Sequence, residues 1–498
     1  MDPSFALFVF IVGIGGLFFL DRENSRTSKA LWLPVIWLWI NGSRPISNWL
    51  DMSPKQYSQS ELAATNLLDQ SVAGVLMLFG IIVIVRRRRD VIVLLRASWP
   101  IVLYFSFCLV SLLWSDFSGW GFKRWLRSIG ELVMIMTIVT EAQPTAALRR
   151  FLSRVGFVLL PTSVLLIKYY PKLGQGFDFH WGTQYNNGVT TNKNTLGAVA
   201  FLVALGTLWQ ILSLLVDRRQ PNRARRLLAQ CTLLCFGIGV LFMAHSATSG
   251  VCFALGAGLM LATTLPLIRH RPAAVHALVL CVFLSGGLIE LLGGRAEAMK
   301  AIGRQPTLTG RTPIWKALST MAPNPIVGAG FETFWVGPRV ADLDRLFPGI
   351  NEAHNGYLEV YLNLGWPGVG LIALIVGQGY RRAVGAFRHG RDPTFGCLLL
   401  AYIVTAVAYS ITEAGFRMLS APWLFLLMSV AAAGLKTGIG KDPLQSRHEL
   451  DTNLRGGRLR YRTDSDNITE AVRSLAPKDS RRVLSKAMDP GLCVRKLK

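Results

Sequence analysis

The sequence predicts an all-α, polytopic membrane protein with about twelve to thirteen transmembrane helices. Hydrophobic residues make up 51% of the 498 residues, and the mean hydropathy is +0.38. They are concentrated in long runs with almost no charge, such as residues 71–85 and 250–267, and a span needs about 20 mostly apolar residues. The net charge of +24 lies mainly between these runs, as in membrane proteins oriented by their loop charges, so nucleic acid is not an expected partner.

The apolar runs set the expected spans in chain order. The first run has no Lys or Arg before it, so it is interpreted as a retained helix and not as a cleaved signal peptide. The expected spans cover residues 4–20, 30–48, 69–85, 97–114, 128–140, 151–168, 195–216, 227–244, 250–268, 273–292, 356–380, 394–412 and 418–435. If two early spans merge or one is re-entrant, the N-terminus changes sides while the later loops keep theirs.

The distribution of Lys and Arg between the spans predicts the orientation. One alternating set of loops, including "RRRRDVIVLLR" and "DRRQPNRARR", carries most of these residues and is therefore expected in the cytoplasm. The other set, with the N-terminus, is expected on the outer face. It includes a long loop at residues 293–355, which is basic and contains the helix signal "TPIWKALSTM".

Four segments follow from this topology. They are an N-terminal transmembrane bundle (1–292), the long outer loop with helical pieces (293–355), C-terminal transmembrane helices (356–435) and a basic cytoplasmic tail (436–498). The tail is polar, with few aromatic residues, so it is expected to be disordered or to lie on the anionic inner leaflet.

Basic residues at the outer ends of the spans are candidate ligands for an anionic group. Lys193 stands at a helix start between Asn192 and Asn194, where bare backbone N–H groups and a cation together favour an anion. Arg44 follows the second span, and Arg124 lies among tryptophans at an interface. Two interpretations stay open for both arginines, because the interface belt and lipid-phosphate sites use the same residue types.

Two further arginines lie in segments that are expected on the same face. Arg311 follows Gly310 and precedes a helix signal, and arginine is the residue type that binds phosphate in a bidentate manner. Arg417 follows Glu413 by four residues, which permits either a local ion pair on a helix or a role in a site. Gly328, in the segment "PIVGAGFETFW", permits close backbone approach.

The stretch "NEAHNGYLEVYLNLG" (351–365) begins polar and becomes apolar, so it marks where the outer loop enters the membrane. Interpreted as a helix, it places His354 beside acidic and amide side chains. Glu352, Asn355 and Glu359 are close enough in sequence to fix the tautomer of this histidine. A metal site is not expected, because few other histidines share this face.

Four segments together resemble a known family. "TNKNTLG", "LTGRTPIW", "PIVGAGFETFW" and "EAHNGYLEVYLNLGWPGVGLIAL" occur in this order, as in the O-antigen ligase and repeat-unit polymerase superfamily. The agreement points to its exopolysaccharide-production branch, the ExoQ-like proteins, whose early segments are similar to "ALWLPVIWLWINGSRPISNWL" and "LWSD". The resemblance covers roughly residues 30–430 and excludes the tail.

The resemblance implies a metal-independent glycosyltransferase with a GT-C-like helical fold, without a cofactor. Such enzymes act at the periplasmic face of the bacterial inner membrane on an oligosaccharide carried by undecaprenyl diphosphate. The acceptor is a second lipid-linked repeat unit in polymerases and lipid A-core in ligases. The motifs place the family's catalytic histidine at His354 and its loop arginine at Arg311. A chain-length regulator and export machinery are further expected partners besides the lipid bilayer.

The chemistry of glycosyl transfer suits these residue types. Fixed cations stabilise the charge that develops on a diphosphate leaving group, and a histidine with a pKa near neutral pH accepts the proton of the attacking hydroxyl. The expected diphosphate ligands are Lys193, Arg124, Arg417 and Arg44. The expected supporting residues are Asn355, Glu359 and Glu413.

The leading hypothesis is an inverting repeat-unit polymerase for exopolysaccharide or O-antigen. A ligase that transfers polymer to lipid A-core or another acceptor is the alternative within this class. A transporter or flippase for lipid-linked oligosaccharides or anions is the alternative from another class, and it predicts polar residues at mid-membrane instead of at span ends.

Overall fold

A computed structural model gives the architecture of the chain. It describes residues 2–23, 27–50, 66–178, 183–265, 268, 271, 273–280, 311–347, 349–389 and 392–437. Residues 281–310 and 438–498, which include most of the tenth expected span, Gly310 and the basic tail, lie outside the described residues.

The described chain is almost entirely helical, with one β-hairpin. The helices of the first half are α1 (Pro3–Leu20), α2 (Trp32–Asn41), α3 (Ile46–Trp49), α4 (Leu67–Arg86), α5 (Arg88–Ala97), α6 (Trp99–Val110), α7 (Ser118–Val139), α8 (Pro144–Tyr169) and α9 (Pro171–Gly174). The antiparallel strands β1 (Gln175–Asp178) and β2 (Thr183–Asn186) follow. The remaining helices are α10 (Lys193–Val216), α11 (Arg223–Ala244), α12 (Ala247–Thr264), α13 (Arg311–Thr320), α14 (Pro338–Leu346), α15 (Gly356–His389), α16 (Pro393–Tyr409) and α17 (Ala421–Thr437).

The chain is a polytopic, all-α membrane protein. Seven helices in the described ranges are long and apolar enough to cross a membrane, namely α1, α4, α8, α10, α11, α12 and α15. A further pair, residues 88–97 and 99–114, qualifies only when combined and is bent by 87°, while α16 and α17 are shorter apolar helices. The segment "RRRRDVIVLLR", which the charge distribution predicts to be a loop, forms the short amphipathic helix α5, because this helix can bury Val91 and Leu94 while its arginines stay on the other side. The chain then bends by 87° before α6.

The helices differ in how deeply they are buried. In the apolar segment of α10, 78% of the residues are buried, against 11% in that of α1, so α10 lies at the centre and α1 at the periphery. The outer surface of α1 exposes Phe5 and Phe8, as expected for side chains that face lipid. Around α10 pack α11, α12, α16 and α17, which bring the last helices of the chain against its middle.

The connections between helices gather at two ends of the bundle. At one end, Arg44 contacts Thr190 and Thr248 contacts Thr412, so segments far apart in sequence meet. A cavity lined by Arg44 and Glu413 opens here, and this end is called the cavity end. At the opposite end, the described loops meet through four ion pairs. These pairs are Arg87–Glu141, Arg149–Asp392, Arg226–Asp21 and Arg226–Glu23. Loops that the charge distribution assigns to the same side therefore lie together.

The segments around the predicted site differ from the expected helices in two places. The last span begins at Ala421, and residues 410–420 form turns, so Glu413 and Arg417 do not share a helix. Helix α15 begins at Gly356, as the expected span does, but His354 precedes it instead of lying within it, and Gly365 interrupts it with φ 62° and ψ −162°. The position of Gly365 requires glycine, because an added Cβ would lie 2.0 Å from the Ile326 carbonyl oxygen.

Candidate active site

A cavity of about 650 Å³ opens at the cavity end of the bundle. Its wall combines the α2–α3 turn, the β-hairpin, the start of α10, residues 351–352 and the turns at 409–422. Three arginines line it: Arg44, Arg127 and Arg417. The carboxylates of Glu352 and Glu413 line it as well, so cations and anions face the same space.

Glu413 joins three segments at the cavity wall. Its Oε1 lies 2.8 Å from Arg311 Nη2, and its Oε2 accepts a hydrogen bond of 3.1 Å from Asn194 Nδ2. The same Oε2 lies 3.3 Å from His354 Nδ1. The side chain is only 4% exposed, so these three partners supply the polar contacts that a buried carboxylate needs.

His354 occupies a strained backbone position between two carboxylates. Its φ of 48° lies in the left-handed region, which non-glycine residues enter rarely and which is common at functional sites. Nδ1 is 2.9 Å from Glu352 and 3.3 Å from Glu413. Burial alone would lower the pKa of His354, but the two carboxylates outweigh it and raise this pKa to about 10.

This pKa corrects the expectation of a histidine that titrates near neutral pH. In this arrangement His354 is an imidazolium at pH 7, and the carboxylates fix the Nδ1 side of the ring. Burial raises the pKa of Glu352, but the charges of His354, Arg417 and Arg311 lower it to about 2. The pair therefore exists as an ion pair over a wide pH range.

The described part of the long outer loop begins at Arg311, which contacts the turns at 410–420. Arg311 is the first residue of α13, and it donates from Nη1 to the Thr412 carbonyl oxygen while Nη2 pairs with Glu413. The sequence alone could not show this contact. Arg311 and His354, 43 positions apart by their residue numbers, meet on one carboxylate.

Arg417 faces the cavity from a cluster of acids. It lies 3.6 Å from Glu332, 3.9 Å from Glu352 and 4.0 Å from Glu359, and it donates to the Asn351 carbonyl oxygen. The local pair between Glu413 and Arg417 that their spacing permits does not form. Glu413 binds the loop arginine instead, while Arg417 binds acids of other segments.

The remaining predicted cations have different surroundings. Arg44 donates to the carbonyl oxygens of Leu173, Gly188 and Thr190, so it both lines the cavity and holds the chain before α10. Arg124 is 2% exposed and donates to the Glu332 carbonyl oxygen, which corrects the expectation that it contacts a diphosphate.

Asn192, Lys193 and Asn194 have different surroundings at the start of α10. Asn192 caps the helix by accepting a hydrogen bond of 2.8 Å from Thr195 N, as its position predicts. Asn192 and Asn194 line the cavity, and Lys193 between them is exposed.

Two of the expected supporting residues contact other groups than His354. Asn355 caps α15, since its Oδ1 accepts hydrogen bonds of 3.0 Å from the backbone N–H groups of Tyr357 and Leu358. Glu359 accepts a hydrogen bond from Trp335 Nε1 and one from Ala353 N. The orientation of the His354 ring is therefore set by Glu352 and Glu413 instead of Asn355 and Glu359.

Comparisons with known proteins match the segment that carries Arg311 and His354. Residues 232–373 match the family model described as O-antigen ligase (Wzy_C), a range that contains both Arg311 and His354. The exopolysaccharide production protein ExoQ of Rhizobium meliloti (strain 1021) is 22% identical over 288 residues. The segment that carries Arg311 and His354 is thus similar to the O-antigen ligase family. The alignment covers 54% of this chain and spans 61% of the length of the curated relative.

Much of the cavity wall lies outside the range that matches the O-antigen ligase model. The family model ends at residue 373, before Glu413 and Arg417, and begins at residue 232, after Arg44 and Arg127. The contribution of these residues comes from the structure, which brings them to the segment that carries His354.

The donor atoms of Glu352, His354 and Glu413 lie within 4.8 Å of one another, a spacing that a metal ion can use. Glu413 already pairs with Arg311 Nη2 at 2.8 Å, so part of the negative charge of this group is neutralised by an arginine.

Sequence reasoning missed the hairpin and the role of Arg127. The hairpin had a weak signal, since four residues including Gly182 separate two short polar and aromatic runs. Arg127 lies three residues after Arg124, and only the packing of α7 shows which of the two reaches the cavity. Its Nη2 is 3.5 Å from Asn41 Oδ1, and its buried Nε has no hydrogen-bond partner among the described residues.

Proposed function

We propose that this protein is an inverting glycosyltransferase that joins undecaprenyl-diphosphate-linked oligosaccharide repeat units into exopolysaccharide or O-antigen. The proposal includes neither a metal ion nor a cofactor. The observation that carries it is the cavity with three arginines in its wall, beside the carboxylate that links Arg311 to His354. Both the donor and the acceptor reach this cavity from the bilayer.

The arginines suit the leaving group of this reaction. When the acceptor oxygen bonds to the anomeric carbon, the bond to the phosphate oxygen breaks and its electron pair leaves with the diphosphate. Arg44, Arg127 and Arg417 supply positive charge in a partly enclosed space, where electrostatic stabilisation is stronger than in water. Arg311 acts next to them by holding Glu413 in place.

The carboxylate–imidazole group suits the acceptor. Glu352 and Glu413 face the cavity, and His354 bridges them from behind. We assign the acceptor's hydroxyl proton to a carboxylate oxygen of Glu413 or Glu352, the two acids of this coupled group that line the cavity. His354 is already an imidazolium, so it keeps the two carboxylates in place through Nδ1 and takes up no further proton.

The proposed location is the periplasmic face of the bacterial inner membrane. The loops of the opposite end are those with most of the Lys and Arg between spans, which favours the cytoplasm for that end. The cavity end would then face the periplasm, where lipid-linked repeat units are assembled into polymer. A chain-length regulator and export machinery would act at the same face.

A ligase activity is the second candidate, because the matching family model is described as O-antigen ligase. The chemistry at the donor is the same, and the difference lies in the acceptor. A ligase would attach finished polymer to lipid A-core or another acceptor, whereas a polymerase extends one lipid-linked chain with another.

The test replaces His354 and Arg311 by alanine in separate variants, with protein levels in the membrane measured. We expect each variant to abolish polymer while single lipid-linked repeat units accumulate, because the group that binds the acceptor and the clamp on Glu413 are lost. His276→Ala and Arg339→Ala are matched controls. They alter a histidine that contacts Tyr380 and an arginine that contacts Asp116, away from the cavity.

Three other outcomes discriminate between the candidates. Normal polymer from both variants at normal protein levels would refute the catalytic assignment. Accumulation of free polymer that is not joined to lipid A-core would favour the ligase. Loss of repeat units from the outer leaflet would favour a transporter.

A further inference from the structure

The hairpin forms one side of the cavity and carries two aromatic rings. Strands β1 and β2 pair in antiparallel register, with Gly176 opposite Tyr185. Gly176, Phe177, Tyr185 and Asn187 all line the cavity. The hairpin is thus part of the cavity wall itself, and it contributes no cation to it.

Contacts at its base fix the hairpin to the bundle. Asn186 Nδ2 donates a hydrogen bond of 2.9 Å to the Met243 carbonyl oxygen at the end of α11. The Gly174 carbonyl oxygen accepts hydrogen bonds from the backbone N–H groups of Asn187 (3.0 Å) and Gly188 (2.9 Å). Arg44 donates to the Gly188 carbonyl oxygen at 3.1 Å. A wall held in this way can present side chains at a fixed position.

The two rings lie where a ligand can reach them. Phe177 is 52% exposed although it is apolar and belongs to an ordered strand. Tyr185 packs directly over Gly176, since a Cβ added there would lie 2.6 Å from the Tyr185 ring carbon Cζ. Glycine at this position therefore allows the ring to lie flat on the hairpin.

The cavity wall combines two kinds of side chain. Arg44, Arg127 and Arg417 supply positive charge, and Arg44 lies at the base of the hairpin, where it donates to the Gly188 carbonyl oxygen. The hairpin and the residues up to the start of α10 supply the two aromatic rings and the amides of Asn187, Asn192 and Asn194. Amides donate and accept hydrogen bonds without charge, and aromatic faces bind apolar C–H surfaces. The rings and amides suit a neutral polyhydroxylated ring, and the arginine beside them suits the anion that such a ring carries.

We propose that Phe177 and Tyr185 bind the sugar ring next to the diphosphate, with the asparagines binding its hydroxyl groups. This inference rests on the proposed function and divides the cavity into an anion subsite and a saccharide subsite. The hairpin then contributes to sugar specificity, while the arginines bind any lipid diphosphate.

The test compares two probes that differ only in the sugar. Purified full-length protein in nanodiscs is titrated with undecaprenyl diphosphate and with an undecaprenyl-diphosphate-linked disaccharide. For Tyr185→Ala and Phe177→Ala we expect roughly 10-fold weaker binding of the disaccharide lipid and unchanged binding of undecaprenyl diphosphate. Tyr185→Phe keeps the ring and should lose much less. Phe79→Ala is the matched control, because Phe79 is also 52% exposed but lies on α4 away from the cavity.

Each other outcome has a defined meaning. Equal weakening of both probes in the hairpin variants would overturn the inference, because it would mean a general loss of the cavity. Unchanged binding of both probes would overturn it as well. If the wild-type protein bound the two lipids equally, the sugar would have no subsite, although the proposed donor would still stand. If it bound neither lipid, the proposed function itself would fail, and this inference with it.

Discussion

The two ends of the helical bundle use the same residue types for different purposes. At the opposite end, Arg87 and Glu141 lie 2.5 Å apart and close the space between two loops. At the cavity end, Glu413 has Arg311 at 2.8 Å and His354 at 3.3 Å, and an open volume of about 650 Å³ adjoins it. Buried ion pairs alone are weak indicators of function, since they also join loops. The space beside the pair is what distinguishes the two ends.

The backbone differs between the two ends in the same direction. Among the described residues, His245, Glu332, His354 and Leu419 are non-glycine residues with positive φ at the cavity end. At the opposite end Asn222 has this conformation, which asparagine tolerates well. Strained positions persist where surrounding contacts hold them, and they concentrate at sites that position reactive groups.

The largest effect should come from removing the shared charge of Glu413. Glu413→Gln keeps the size of the side chain but removes the anion that holds Arg311 and His354. We expect polymer synthesis per folded molecule to fall by at least about 100-fold, since loss of one preorganised electrostatic group costs that much in other enzymes. The measurement is polymer formed by membrane vesicles from lipid-linked repeat units.

Glu141→Gln is the counterpart at the opposite end. It removes the partner of Arg87 and of Ser28, so we expect a loss of about 2 kcal/mol in the free energy of unfolding. Polymer synthesis per folded molecule should stay near the wild-type value. A drop as large as that of Glu413→Gln would mean that the two ends do not differ in function.

A smaller effect is expected from Arg127, which lines the cavity from α7. Arg127→Gln removes one of three cations from the anion subsite, and we expect about 10-fold weaker binding of undecaprenyl diphosphate. The matched variant is Arg149→Gln, whose arginine lies 3.7 Å from Asp392 at the opposite end. Both variants in nanodiscs are titrated with undecaprenyl diphosphate. Equal affinities of the two variants would mean that Arg127 does not bind the diphosphate.

The sequence predicted most of the fold because membrane helices have a strong local signal. Long apolar runs and the charges between them depend on neighbouring residues, and the structure has a helix for the runs at 4–20, 151–168 and 195–216. The errors lie where local signals are weak. The bend after Ala97, the interruption of α15 at Gly365 and the turns at 410–420 depend on packing between segments.

The site was predictable in its residue types but not in its contacts. His354, Arg311 and Glu413 were recognised as candidates, and the structure brings these three together. Arg124 and Arg127 could not be separated, because one helical turn decides whether an arginine faces the interior or the cavity. Nor could the sequence show that two carboxylates flank His354 and raise its pKa.

The smallest expected effect concerns the positive charge of His354, which the pH dependence of stability can test. The folded protein holds the pKa of His354 near 10, against an ordinary value of 6.5. The ion pairs of His354 with Glu352 and Glu413 therefore stabilise the folded state in full below about pH 6.5. This contribution is lost as the pH rises from 6.5 to 10. The pKa of Glu352 is about 2, so its carboxylate stays charged throughout that range.

The difference in melting temperature between wild type and His354→Gln should therefore be largest near pH 6 and shrink steadily toward pH 10. The corresponding difference for Glu141→Gln should stay constant over this range, because Arg87 does not lose its proton there. Thermal unfolding of the three proteins in nanodiscs gives both curves. A constant difference for His354→Gln up to pH 10 would mean that the folded protein holds a neutral imidazole. In that case the cavity end would contain a ready proton acceptor, and the Glu352–His354–Glu413 group would not be the charged cluster that separates it from the opposite end.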